Sequence, residues 1–477
     1  AAAEGNPDEK WILAKTLEDL RYVAEWLPTD GTSHESPTYM VFGLAHLILA
    51  MQASDRCLGT EFLQHPFFEG VGNYMVHMYT PGLTSRFTYG DSTTGVGKLG
   101  YDTSLYKCTS TFRQQYVQEA LNQVVARHGA MWGWMGLVWF DPTVPAARLD
   151  EVPTAAMFDD LGLVTLRDSW EADGVGAMFK CGPLGGYTLN RYRNENNFAY
   201  INVAHDDPDA NSFITFVGGG LVAETDRYSK HKKSANHNTI LVNGVGQVVS
   251  GRKEGGVWSQ PGRGDMTRMA YLTAWKQGEG IDLAEGEASG SYIACKDQRG
   301  GTRPPLTRFR RSFAWVEGKY ILILDDIQAE APADIEWLLQ APTLTAVDVD
   351  EGVYRLNRDD TAYHVTIKPS AEVEDTIAES SADHRGKALG WDQLKLTANT
   401  AAIRFASIHL PWGGDWKLED REWAPGEATV AVVGPDSQDV WSWKAAPDNE
   451  TPSSLVLTRE GDPVFELTAE DVAELPE

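Results

Sequence analysis

Cysteine is scarce in this chain: Cys57, Cys108, Cys181 and Cys295 stand far apart, and no two share a CxxC spacing. That excludes a zinc-knuckle pattern and a dense disulfide framework, leaving free thiols or at most one bridge. Positive charge is also short, with 41 Lys and Arg against 68 Asp and Glu and a net charge of −27. Such a balance argues against nucleic acid or an anionic membrane surface as the general partner. An anionic substrate remains compatible where one cleft gathers cations locally. No apolar run reaches the roughly 18 residues of a membrane span. The start, Ala1-Ala-Ala-Glu-Gly-Asn-Pro7, lacks the basic and apolar regions of a signal peptide. Either a leader has been removed or the chain begins inside a longer one. No fixed repeat period is visible.

What is present divides by periodicity. A chain of 477 residues with 42% hydrophobic content can bury several cores, and its length suggests about three domains. Residues 1–150 read as helices: Trp11–Trp26 at helical spacing, Val41–Met51 apolar nearly all round as in an inner helix, Phe112–Ala126 amphipathic, and Met131–Phe140 apolar. These read as helical hairpins stacked in sequence. Pro142, Pro145 and Pro153 mark a linker. Short strand-like runs follow from Gly162, among them Leu163–Leu166, Phe213–Phe216, Arg311–Val316 and Tyr320–Asp325, which predict antiparallel sandwich architecture. The expected fold class is multidomain α+β, with domains at 1–150, 151–345 and a β-rich 346–477. The stretch from Ala371 to Trp391 reads as a polar loop.

The densest chemistry lies between Asn194 and Asn238. Phe198, Tyr200, Ile201 and Val203 predict a strand, after which His205, Asp206, Asp207, Asp209, Glu224, Asp226 and His237 crowd among apolar neighbours. Burying so many ionisable groups is costly unless each finds a partner or a metal, so a site is expected there.

With Asp30-Gly31, Glu35-Ser-Pro-Thr-Tyr39, Tyr89-Gly-Asp91-Ser92, Asn202-Val-Ala-His205-Asp-Asp207 and Asn236-His-Asn-Thr239, the chain resembles the heparinase II/III-like polysaccharide lyases. It is similar also to the related uronate C5 epimerases typified by dermatan sulfate epimerase. The similarity runs over residues 20 to 345. It implies an N-terminal (α/α) toroid followed by antiparallel β-sandwich domains, and an enzyme secreted or held in the periplasm. It further implies cleavage of a uronic-acid polysaccharide, such as alginate or a glycosaminoglycan, by β-elimination. In that reaction hydrogen-bond donors neutralise the uronate carboxylate, a base takes the C5 proton, and an acid protonates the departing 4-oxygen.

Carried onto this sequence, the resemblance makes Tyr39 and His205 the acid/base pair. It implies one divalent ion, zinc, manganese or calcium, with a structural role. Where the family often has a second histidine this chain has Asp207, and strand alternation would put 205 and 207 on one side. Glu224 and His237 complete the expected ligand set, which is harder than His-Asp-His. The family's carboxylate-neutralising motif upstream of the tyrosine has no counterpart in the 38 residues before Tyr39. The resemblance therefore implies an incomplete toroid, completed by an upstream segment or a second subunit. His34, Glu35, Arg86, Arg191, Arg193, Asn202 and Lys230 are the candidate substrate contacts, arginine being suited by its planar fork. Lys230 belongs to a basic run with Arg227, Lys232, Lys233, Arg252 and Lys253. Trp132, Trp134 and Trp139 could line sugar subsites, though their apolar surroundings favour packing. A uronate C5 epimerase and a non-catalytic carbohydrate-binding protein are the alternative functions.

Overall fold

The computed structural model describes residues 7–96, 101–128, 133–145, 147–248 and 265–474. Among these, the helices are α1 (Pro7–Glu25), α2 (Ser36–Leu58), α3 (Pro66–Met78), α4 (Leu105–Phe112), α5 (Gln115–His128), α6 (Trp134–Trp139) and α7 (Gly186–Glu195). All but α7 precede the sheets, as the helical periodicity predicts. α2 buries one face, Met40, Val41, Leu44, Ala45, Ile48 and Met51, and exposes Phe42, Gly43, His46 and Ala50. It is thus amphipathic, not enclosed on both sides as its composition suggested. α1 likewise leaves Trp11 and Ile12 in solvent.

Three large antiparallel sheets follow, and two two-stranded ones accompany them among the described residues. A five-stranded sheet takes Ala156–Phe158, Leu163–Arg167, Gly176–Lys180, Ser212–Val217 and Gly220–Leu221. A ten-stranded sheet is centred on the long strands Tyr320–Ala341 and Asp392–His409, and a second five-stranded sheet spans Lys417–Leu467. The large sheet draws strands from both sides of residue 345.

Strand alternation stacks these layers. In the first sheet Met178, Ile214 and Phe216 join the helical core, while Ala177, Phe179 and Phe213 face the core shared with the large sheet. In the strand from Tyr320, Ile321 and Ile323 enter that same core, and Tyr320, Leu322 and Leu324 enter the one shared with the C-terminal sheet. Residues two apart lie on one face, so a strand covered on both sides reads as an unbroken apolar run. Burial at about 25 cal/mol per Å² of apolar surface drives the layering.

Two expectations fail locally. Phe198–Val203 is not a strand: α7 ends at Glu195, and Asn197 and Phe198 take left-handed φ of 54° and 57°. The Ala371–Trp391 stretch is not an open loop, for it holds the strand Glu374–Glu379 and a small hairpin, Asp383–His384 with Lys387–Ala388.

Candidate functional site

The site forms where the loop before α2, the turn at Tyr89–Ser92 and the loops 202–211 and 224–238 meet. Asp30 organises the first: its carboxylate accepts from Thr32 N–H (3.0 Å) and Oγ1 (2.8 Å) and from Asp160 N–H (3.0 Å). Gly31 has φ +79°, and a Cβ there would lie 1.9 Å from Val71 N, so only glycine fits. The chain then enters α2 through Glu35, whose side chain makes no capping bond, and Ser36, held at φ 78°. Tyr39 follows at the rim of a cavity of about 230 Å³ whose lining includes Trp26, His34, Glu35, Leu44, Asp160 and Thr188.

Tyr39 and His205 are brought together, their rings stacked with centroids 3.9 Å apart and planes at 21°. The Tyr39 hydroxyl shares a 2.5 Å hydrogen bond with that of Tyr228. Burial, then the Tyr228 contact, raises the Tyr39 phenol, which stays protonated at neutral pH. His205 is clamped by Asp91: the imidazole Nδ1 lies 2.6 Å from Asp91 Oδ2, and Asp91 N–H donates to the His205 carbonyl at 2.8 Å. Gly90 permits this approach, since a Cβ there would meet His205 O at 2.4 Å. A carboxylate only accepts, so Nδ1 carries the proton and Nε2 is the basic nitrogen. Burial raises Asp91 above the ordinary carboxylate value, opposed by Lys232 and His205.

Lys232 is buried and bridges two carboxylates, donating to Asp91 and lying 3.0 Å from Asp207 Oδ1. Beyond it Asp207, Asp226 and His237 place one potential ligand atom each within 4.8 Å of one another. The fit to a metal is carried by buried atoms without hydrogen-bond partners: Oδ2 of Asp207, whose Oδ1 faces Lys232, Oδ1 of Asp226 and both ring nitrogens of His237. Burial lowers His237 to about 4, keeping the imidazole in the neutral, metal-ligating form. The cluster can therefore hold a divalent cation.

The predicted site residues part company here. Asp207 and His237 converge, but Glu224 does not join them. Its carboxylate accepts from Arg227 Nε (3.0 Å) and Arg358 Nη1 (2.6 Å), and Asp226 takes the ligand position instead. Residues 205–207 form a turn, not a strand, so His205 faces Asp91 while Asp207 faces His237. His34 Nε2 lies 3.0 Å from the Asn202 carbonyl, which ties the cavity wall to the histidine loop. Arg86 is buried and salt-bridged to Asp102, and Arg193 is buried beside the Phe198 ring, so neither reaches the cavity. Arg191 lies over the Trp26 ring, its guanidinium carbon 5.8 Å from the centroid, and Lys230 is exposed. Trp139 is buried and donates to Gln52 Oε1, as packing requires. Trp132, Arg252 and Lys253 lie outside the described residues. Sequence reasoning gave no role to Asp91, Asp226 or Tyr228, and it read Lys232 as one of a run of cations beside a polyanion, where the structure buries it between two carboxylates. Each stood in a segment already singled out, but only tertiary contacts, such as Asp91 to His205, Lys232 to Asp91 and Tyr228 to Tyr39, separate them from surface polar residues.

Helical layers packed on stacked antiparallel sheets, with a tyrosine–histidine pair at their junction, define a toroid-plus-sandwich fold class. The profile of the heparinase II/III-like C-terminal family matches residues 151–407, more than half of the chain, which therefore belongs to that family. Among curated protein sequences none matches. The fold is that of a solved heparinase III, with a TM-score of 0.62 at 12% identity over 91% of this chain and 64% of the other. It is similar also to the heparan sulfate lyase HepC from Pedobacter heparinus, with a TM-score of 0.60 at 14% identity over 92% of this chain and 61% of the other. The chain thus spans less than two thirds of the length of these structures. Among the described residues no helix is long and apolar enough to cross a membrane.

Proposed function

We propose that the protein is a polysaccharide lyase that cleaves a uronic-acid polymer by β-elimination. The observation that carries this reading is the Tyr39–His205 stack at the cavity rim, with His205 oriented by Asp91 and the Tyr39 phenol bonded to Tyr228. Likeness to lyases of heparan sulfate supports the substrate class. His205 Nε2 accepts the C5 proton. The C–H electron pair becomes the C4–C5 double bond as the bond from C4 to the glycosidic oxygen breaks. Tyr39, held protonated by burial, donates its proton to that departing oxygen, and Tyr228 stabilises the phenolate left behind. Trp26 and the apolar cavity wall offer a stacking surface for a sugar ring.

A zinc, manganese or calcium ion on Asp207, Asp226 and His237 would brace the loop that presents His205, acting structurally. A polymeric substrate suits an enzyme working outside the cytoplasm, secreted or periplasmic.

The test is incubation with heparan sulfate, alginate and glucuronan while following the ultraviolet absorbance of the unsaturated uronate. A rise with at least one polymer supports the lyase. Flat absorbance with solvent deuterium entering C5 would make the protein an epimerase, and flat absorbance with retained polymer binding would make it a carbohydrate-binding protein.

A further inference from the structure

The hairpin that interrupts the Ala371–Trp391 stretch lies against the tyrosine pair. Its two-residue turn is Arg385-Gly386, with φ of 55° and 78°. Turns of this kind need left-handed backbone at both central positions, hence the usual preference for Asn-Gly. Gly386 meets that need without strain; Arg385, carrying a Cβ, does not. A strained residue persists only where its surroundings over-determine it, and such residues cluster at functional sites.

The surroundings do hold this one. Arg385 N–H donates to the Tyr228 carbonyl at 2.6 Å, and Arg227 N–H to the Asp383 carbonyl at 3.4 Å. The Asp383 carboxylate is occupied by backbone, accepting from Gly386 N–H at 2.7 Å and Lys230 N–H at 3.2 Å. The guanidinium carbon of Arg385 lies 5.1 Å from the centroid of the Tyr228 ring, whose hydroxyl meets that of Tyr39. Arg385, Lys387 and Lys230 are all exposed there, a local excess of cations on a molecule of net charge −27. The neighbouring His384 reports the same field: burial first, then the charges of Arg385 and Arg227, push its imidazole below the ordinary value. Its buried Nδ1 has no hydrogen-bond partner.

We propose that this hairpin is part of the substrate site, with Arg385 binding an anionic group of the sugar chain, uronate carboxylate or sulfate ester, beside the Tyr39–Tyr228 pair. This rests on the polysaccharide reading of the site. The cation that the sequence sought at Arg86 or Arg193 is thereby supplied from the C-terminal half of the chain, on a fork suited to planar anions.

Arg385→Asn separates binding from folding, because asparagine suits the turn and carries no charge. Its Tm is expected to equal or exceed the parent's, while Kd and KM rise roughly tenfold, the scale of one charge-assisted contact. Arg385→Lys should recover part of the loss. Glucuronan, which has no sulfate, and heparan sulfate are the two probes. Weakening on both assigns the carboxylate; weakening on heparan sulfate alone assigns the sulfate. If no probe yields unsaturated product but Kd still depends on Arg385, the lyase reading fails and the anion site stands. Product formation with Kd and KM indifferent to Arg385→Asn overturns the anion site alone, and so does failure of the parent to bind either polymer.

Discussion

His205 takes its orientation from Asp91, and Asp91 is held in turn by Lys232. In the proposed reaction a base oriented this way and a phenol kept protonated by burial serve one transition state, so their losses should overlap. Tyr39→Phe is expected to leave the Tm near the parent's and lower turnover at least about a hundredfold, the scale for one acid/base group. His205→Ala should do the same, and the double variant should fall far short of the product of the two effects. Steady-state rates on the most active polymer check both points; turnover within a few-fold of the parent in Tyr39→Phe would remove the tyrosine from the chemistry.

Single side chains also fasten whole elements. Arg311, on the strand Leu306–Val316, forks onto Asp325 at 2.6 and 2.9 Å and donates to the carbonyls of Asn211 and Asn238 at 2.6 and 2.7 Å. It thus pins both site loops to the large sheet. Arg311→Met leaves the Asp325 charge buried without its partner and should cost about 3–5 kcal/mol, read from the denaturant midpoint. The loop at Asp160 meets the first turn of α7, where Asp160 Oδ1 accepts Thr188 N–H at 2.7 Å. Burial, then the charge of Asp30, raises Asp160 to about 7. A folded value above the unfolded one means that the stability this group contributes is full below about pH 4 and is lost as the pH rises through about 7. Asp160→Asn, which keeps the acceptor, should therefore raise the Tm by several degrees at pH 8 and change it little at pH 4. An equal shift at both pH values would show that charge is not the cause.

Across the whole molecule, the buried Asp207–Asp226–His237 cluster joins the loops 202–211 and 224–238. A cation bound to the folded chain alone stabilises it by mass action. Purified protein is expected to carry about one equivalent of a divalent metal, and chelation should lower the Tm and, by loosening the His205 loop, the turnover. Elemental analysis and thermal scans with and without chelator check this. A metal-free protein indifferent to chelators would leave the cluster as a polar network held by Lys232.

The sequence by itself determined the order of helices then sheets, because helical and strand periodicities are local; it marked His205, Asp207 and His237 because ionisable groups among apolar residues need partners, and Tyr39 through the family resemblance. It misread Phe198–Val203, where apolar content outweighed the chain-turning Asn196-Asn197. It misread Arg86 and Arg193 too, since composition cannot distinguish a buried arginine from one at a cavity. Only the tertiary structure decided that Asp226, not Glu224, meets Asp207 and His237, that Lys232 links Asp91 to Asp207, and that a hairpin from beyond residue 380 meets Tyr228. The physical reason is range: periodicity is written in neighbours a few residues apart. The site is assembled from contacts such as Asp91 to His205 and Arg385 to Tyr228, whose partners are fixed only when the layers pack.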